Sequence, residues 1–212
     1  MIEFLFSQYK NYSNLHIFLE LTGILFGISS VFFAKKNNIL VYPTGIISTL
    51  IFVYLLYKWE LYGDLLVNIY YTIMSVYGWY LWGLQKNNTD EYPISKTTKK
   101  EYFTAVLFFF TTIAIVIAIY IFFNKFTSWT AYVDALTTGL FFVGMWLMAK
   151  RKIENWIIWV VADFISVPLY FYKGYTFTSI QFIIFTVIAY IAYLEWKKNL
   201  TNQLKINSLK KE

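Results

Sequence analysis

The chain has 212 residues, of which 58% are hydrophobic, 23% aromatic and only 14% charged, a balance too apolar for a water-soluble domain and one that belongs in a lipid bilayer. With no cysteine and a single histidine, His16, it offers neither a disulfide framework nor a thiolate or histidine metal cluster, and no cofactor is expected. The net charge of +6 would suggest nucleic acid in a soluble chain. Here the lysines sit in short connections between apolar runs, so they report membrane topology, and no nucleic-acid partner is expected.

Met1 to Asn14 lacks the basic start, compact apolar stretch and small-residue cleavage site of a signal peptide, and is read as an outer N-terminal segment (1–14). Apolar runs long enough to span a bilayer then follow at Leu15–Ala34, Val41–Tyr57, Leu61–Leu84, Tyr102–Phe123, Trp129–Met148, Trp156–Tyr172 and Thr176–Trp196. The chain is therefore expected to be an all-α membrane protein of seven transmembrane helices. Lys and Arg number 1, 2, 1, 4, 1, 3, 1 and 5 in the eight segments outside these spans. The alternation predicts an outer N-terminus and a cytoplasmic C-terminus, with residues 197–212 as a basic, solvated cytoplasmic tail.

The first span carries Glu20 and a Gly23-x-x-x-Gly27 pair suited to close helix packing. The third sets Asp64, Asn68, Tyr71, Ser75, Trp79 and Trp82 three or four residues apart, giving one polar and aromatic face. The fifth begins near Asp134. The sixth holds Trp156, Trp159 and Asp163 on one face, continued by Ser166 and Tyr170. A mid-span carboxylate costs about 2.5 to 3.5 kcal/mol on insertion scales, so it is expected to face a cavity or partner. Pro168, unable to donate to the Phe164 carbonyl, is expected to leave a free acceptor beside Asp163 and to kink the helix. Gln181 and Tyr190 lie in the seventh span.

The halves resemble each other. Leu25-Phe26 matches Leu140-Phe141, Ala34-Lys35-Lys36 matches Ala149-Lys150-Arg151 and Tyr57-Lys58 matches Tyr172-Lys173, at a spacing of about 115; with one residue dropped, Trp82 falls on Trp196 and Thr72 on Thr186. The parse is a first three-helix repeat (15–84), a cytoplasmic loop and linker helix (85–128), and a second three-helix repeat (129–196), the two repeats being parallel. Asn68 then lands within one or two residues of Gln181, and Glu20 within one of Asp134.

These features give a solute-binding set of Asn68, Tyr71, Trp159, Asp163 and Gln181, with Trp156, Ser75, Tyr190, Asp134 and Glu20 along the pathway. Asn68 and Gln181 are equally readable as interhelical hydrogen bonds. Trp79, Trp82, Trp129, Trp146 and Trp196 read as interface-belt or packing residues, and His16 as a headgroup-level residue. No phosphate-loop string occurs among the 9 glycines, so ATP coupling is not expected. A seven-helix receptor shares the topology, but the seventh span has no lysine for retinal and the inner loops are short. An enzyme is disfavoured, because no nucleophile–base pair or paired mid-span carboxylates can be assembled.

Leu61-Tyr62-Gly63-Asp64-Leu65-Leu66, Tyr77-Gly78-Trp79-Tyr80-x-Trp82, Glu154-Asn155-Trp156-x-x-Trp159-x-x-x-Asp163 and Tyr172-Lys173-Gly174 together resemble the PnuC family of bacterial vitamin transporters. The resemblance implies a 3+1+3 architecture similar to SWEET transporters, in the bacterial inner membrane, and a homotrimeric assembly. It also implies nicotinamide riboside uptake by facilitated diffusion, with a cytoplasmic kinase trapping the vitamin. Relatives are associated with thiamine or riboflavin, so these remain alternative solutes. Nicotinamide riboside and thiamine both carry a cationic aromatic ring, suited to Trp, Tyr and a carboxylate; ribose hydroxyls suit Asn68 and Gln181.

Overall fold

The computed structural model describes residues 13–59, 62–86, 89–124, 128–174 and 176–209. Within them lie the helices α1 (Asn14–Lys35), α2 (Val41–Lys58), α3 (Tyr62–Gly83), α4 (Lys99–Phe122), α5 (Trp129–Ala149), α6 (Asn155–Tyr172) and α7 (Thr176–Leu209), with strands β1 (Gln85–Lys86) and β2 (Thr89–Asp90) forming a small hairpin before α4. Each expected span has its helix, with ends displaced by no more than three residues except at the C-terminus. There α7 runs on through much of the stretch expected to be a separate tail, because no Gly or Pro interrupts residues 197–209. Most of the N-terminal segment, up to residue 12, lies outside the described residues, as does Leu61.

Among the described residues, six helical stretches are long and apolar enough to cross a membrane. The exception is α3, which matches them in length at 22 residues but carries Asp64, Asn68, Thr72 and Ser75. Polarity on one face lowers its average, and that face is turned inward. The outer surface is apolar: Leu25, Phe103, Phe110, Phe164 and Val187 are all exposed, as side chains in contact with lipid would be.

Neighbouring helices pack in the order α1, α2, α3, α5, α6, α7 and back to α1, while α4 packs against α5. Small residues set the spacing. A Cβ at Gly23 would lie 3.1 Å from the Phe52 ring, and one at Gly27 would lie 3.0 Å from Ser48 Oγ. The Gly23–Gly27 pair is thus a packing device for α1 on α2, as expected.

The element boundaries recur at a constant offset of 114 residues: Lys35 and Ala149 end α1 and α5, Val41 and Asn155 begin α2 and α6, Lys58 and Tyr172 end them, and Tyr62 and Thr176 begin α3 and α7. The turns repeat too. Asn37 and Arg151 both have φ 52°, and Asn38 N and Lys152 N each donate at 2.9 Å to Phe33 O and Leu147 O. Left-handed residues just past a helix end satisfy the last carbonyls in this way. The spacing of 115 read from Ala34-Lys35-Lys36 is therefore corrected to 114, because turn geometry and not side-chain identity fixes the register.

A strap joins the halves. After the hairpin, Ile94 is buried, Ser95 N donates to Arg151 O and Ile153 N to Ser95 O, and Glu154 Oε2 accepts from Thr97 N and Oγ1 at 2.9 and 2.6 Å. Thr98 and Glu101 then form a capping box that starts α4.

Candidate functional site

The ring and α4, through Phe108, Thr112, Ile115 and Tyr120, line a cavity of about 1460 Å³, ample for a vitamin-sized solute. One end is closed by a packed aromatic layer, here termed the tryptophan end. Tyr42 stands edge-on to Trp82 at 5.1 Å and Trp156 edge-on to Trp196 at 5.5 Å, both pairs at 87°. All four rings are buried, and the repeat relates Tyr42 to Trp156 and Trp82 to Trp196. The indoles also cross over: Trp82 Nε1 donates to Ala149 O at 3.2 Å, and Trp196 Nε1 donates to Ala34 O at 3.0 Å and Lys35 O at 3.2 Å. Each half thus anchors its third helix on the carbonyl end of the other half's first helix. Trp82 and Trp196 are packing residues of this layer, not members of an interface belt, whereas Trp79 and Trp129 are exposed.

Gly78 is essential to that layer, since a Cβ there would overlap the Tyr42 ring. The Arg151 guanidinium lies 4.3 Å over the Trp82 ring and Nη1 donates to Tyr92 O at 2.9 Å, tying the strap to the same place.

The opposite end is charged. Lys173 Nζ meets both carboxylate oxygens of Asp134 at 2.6 Å, with the two side chains only 24% and 15% exposed. Glu20, the counterpart of Asp134 at the 114-residue offset, also lines the cavity, and the counterpart of Lys173 is Trp59. Asp64 and Tyr170 line the same end.

Between the ends, Asn68, Tyr71, Trp159, Asp163 and Gln181 all face the cavity. Tyr71 and Trp159 have ring centroids 6.1 Å apart, and Phe141 lies 5.4 Å from Trp159. Asp163 is 1% exposed, and its Oδ1 has no hydrogen-bond partner among the described residues. A buried carboxylate oxygen without a donor is costly. Asn68 Nδ2 donates one of its two hydrogens to Asp64 O at 2.9 Å.

Of the pathway residues, Trp156, Ser75, Asp134 and Glu20 line the cavity. Tyr190 does not: it is 58% exposed on the outer face of α7, whose inner face runs through Gln181, Phe182, Phe185 and Ala189. One residue past Ala189 is a turn of about 100°, enough to carry Tyr190 outward. At 114 residues Asn68 falls on Phe182, one residue from Gln181 and so within the expected offset; both amides reach the cavity. Pro168 lies inside α6, which is helical throughout, and both it and Phe164 are exposed.

The wall formed by α1 and α2 was missed in the sequence. Ser30, Gly45, Ser48 and Thr49 line the cavity beside Gly27, which the sequence offered only as a packing residue, and their small size gave no signal in an apolar run.

A family model described as nicotinamide mononucleotide transporter matches residues 17–198. The chain belongs to this family. It is 25% identical over 198 residues to the nicotinamide riboside transporter PnuC of Escherichia coli K12, covering 81% of each chain. It is 23% identical over 184 residues to the riboflavin/roseoflavin transporter RibM of Streptomyces davaonensis, covering 85% of this chain and 84% of that one. A crystal structure of the vitamin B3 transporter PnuC superposes with a TM-score of 0.68 at 21% identity, covering 95% of this chain and 90% of the other. The protein is therefore a multi-pass membrane transporter of PnuC fold, and not an enzyme.

Proposed function

We propose that this transporter carries nicotinamide riboside by facilitated diffusion. The supporting observation is Asp163: a buried carboxylate with an unpartnered oxygen on the cavity wall that also holds Trp159, across from Tyr71. A cationic pyridinium gains Coulomb attraction from the carboxylate and cation–π attraction from the rings. Asn68 and Gln181 offer amides to the sugar, and Glu20, Ser75, Asp134 and Trp156 mark the path between the two ends. The neutral ring of riboflavin would leave Asp163 without a counter-charge, which favours a cationic vitamin over the solute of RibM.

The 114-residue recurrence supports two parallel three-helix repeats with α4 as linker, a 3+1+3 arrangement similar to SWEET transporters. Rocking of one repeat against the other would alternate access to the cavity. The basic excess near the tryptophan end supports a cytoplasmic placement for that end and for the C-terminus, with the acidic end outside, in a bacterial inner membrane. Net uptake would depend on a cytoplasmic kinase that traps the vitamin, and the exposed apolar face of α4 supports packing of subunits in a homotrimer.

Uptake of labelled nicotinamide riboside by proteoliposomes, with unlabelled thiamine and riboflavin as competitors, tests the reading. Saturable riboside flux that is unaffected by a pH gradient is expected. Flux driven by a proton gradient and uncoupled from it in Asp163→Asn would replace facilitated diffusion by proton coupling, and binding without flux would favour a receptor.

A further inference from the structure

The two halves are unlike where they face the solute. At the 114-residue offset, the stripe Trp156, Trp159, Asp163 of α6 corresponds to Tyr42, Gly45, Thr49 of α2. On the α6 side the Trp159 indole lies against Gly144, where a Cβ would meet Nε1 at 3.3 Å. The equivalent contact on the α2 side is Gly45 against Ser30, where a Cβ on Gly45 would meet Ser30 Oγ at 3.0 Å and Ser75 Oγ at 3.6 Å. One half therefore fills the position with an indole, whereas the other packs Ser30 closely on Gly45 and leaves small hydroxyl side chains to line the notch of the cavity beside that contact.

The hydroxyls are not equally occupied. Ser30 Oγ donates to Val41 O at 2.7 Å and Thr49 Oγ1 accepts from Thr72 Oγ1 at 2.8 Å. Ser75 is only 3% exposed and makes no hydrogen bond among the described residues, yet it lines the cavity with its Oγ toward Gly45. The Ser75 Oγ is accessible from the cavity, where water or a solute hydroxyl that replaces it can bond to it. Ser30 and Thr49 retain lone pairs that accept from further donors.

We propose that this notch receives the polyhydroxylated arm of the solute, with its aromatic ring held across the cavity by Tyr71, Trp159 and Asp163. The inference rests on the transport reading and narrows it: a sugar or polyol must be joined to the ring. Nicotinamide riboside has both the cation and the polyol; thiamine has a cationic ring but only a hydroxyethyl group. Asymmetry of the two walls also gives the solute one orientation, ring toward α6 and hydroxyls toward α2.

Calorimetric titration of detergent-purified wild type, Gly45→Ala and Ser75→Ala with nicotinamide riboside and with 1-methylnicotinamide (methylated on the ring nitrogen), which keeps the cationic ring and lacks the sugar, tests the proposal. Unchanged thermal melting and monodispersity would show that each variant folds. Both variants should weaken riboside binding by roughly tenfold, the worth of one lost hydrogen bond to a buried group, and leave 1-methylnicotinamide binding within about twofold. Wild-type riboside binding with no loss in either variant, or equal losses for both probes, would overturn the notch while leaving the transport reading intact. Binding of thiamine but not the riboside would overturn both.

Discussion

At the tryptophan end the two halves of the molecule repeat one another closely, whereas in the mid-cavity they diverge. Tyr42–Trp82 and Trp156–Trp196 share an 87° edge-on geometry, and both indoles reach across to a helix-end carbonyl. One and two helical turns away, Gly45 corresponds to Trp159 and Thr49 to Asp163 as repeat counterparts. A layer on which two repeats move against each other, as proposed, gains from symmetric contacts, because either half then meets the same surface. A binding wall gains from asymmetry, because the solute has a ring at one end and, as proposed, hydroxyls at the other.

The strongest way to break this contrast is at Asp163. Removing one partner of a buried charge interaction costs about 2 to 5 kcal/mol, so Asp163→Asn should weaken binding of the cationic riboside by roughly 30-fold or more in calorimetric titration, while riboflavin gains relative to it. A preserved riboside affinity would remove Asp163 from the site. Gly78→Val comes next: its side chain would overlap the Tyr42 ring, and overpacking of about 1 to 3 kcal/mol should lower the melting temperature in detergent and disturb the symmetric layer.

The symmetry of the tryptophan end makes a sharper forecast. Trp82→Phe and Trp196→Phe each leave a helix-end carbonyl without its indole donor, at a cost of about 1 to 3 kcal/mol, and the two melting shifts should be alike. A large effect in only one would show that the repeat is geometric without being energetic. Smallest is Tyr190→Phe, on the outer face, which should leave riboside binding and melting unchanged within about 0.5 kcal/mol; a measurable loss of flux would return Tyr190 to the pathway.

The spans were legible because long apolar runs bounded by lysines have few readings in a chain of this composition. The faces of α3 and α6 were legible because a polar residue in such a run stands out at helical spacing. Residues whose role depends on being small, such as Gly45 and Ser30, did not stand out, since glycine and serine occur in apolar helices for packing alone. The bonds of Trp82 and Trp196 were hidden for another reason: their acceptors are backbone carbonyls of Ala149 and Ala34, which have no sequence signature. Tyr190 was misplaced because a single residue step turns a side chain by about 100°.

By itself the sequence determined the membrane class, the seven helices, the internal duplication and the carboxylate-aromatic face around Asp163, because hydropathy and periodicity are local properties of the chain. Only the tertiary structure decided the 114-residue register, the crossed indole anchors and the hydroxyl notch opposite Trp159. Each of these is a relation between side chains or carbonyls more than 60 residues apart or on different helices, fixed by how the ring closes and not by any single segment.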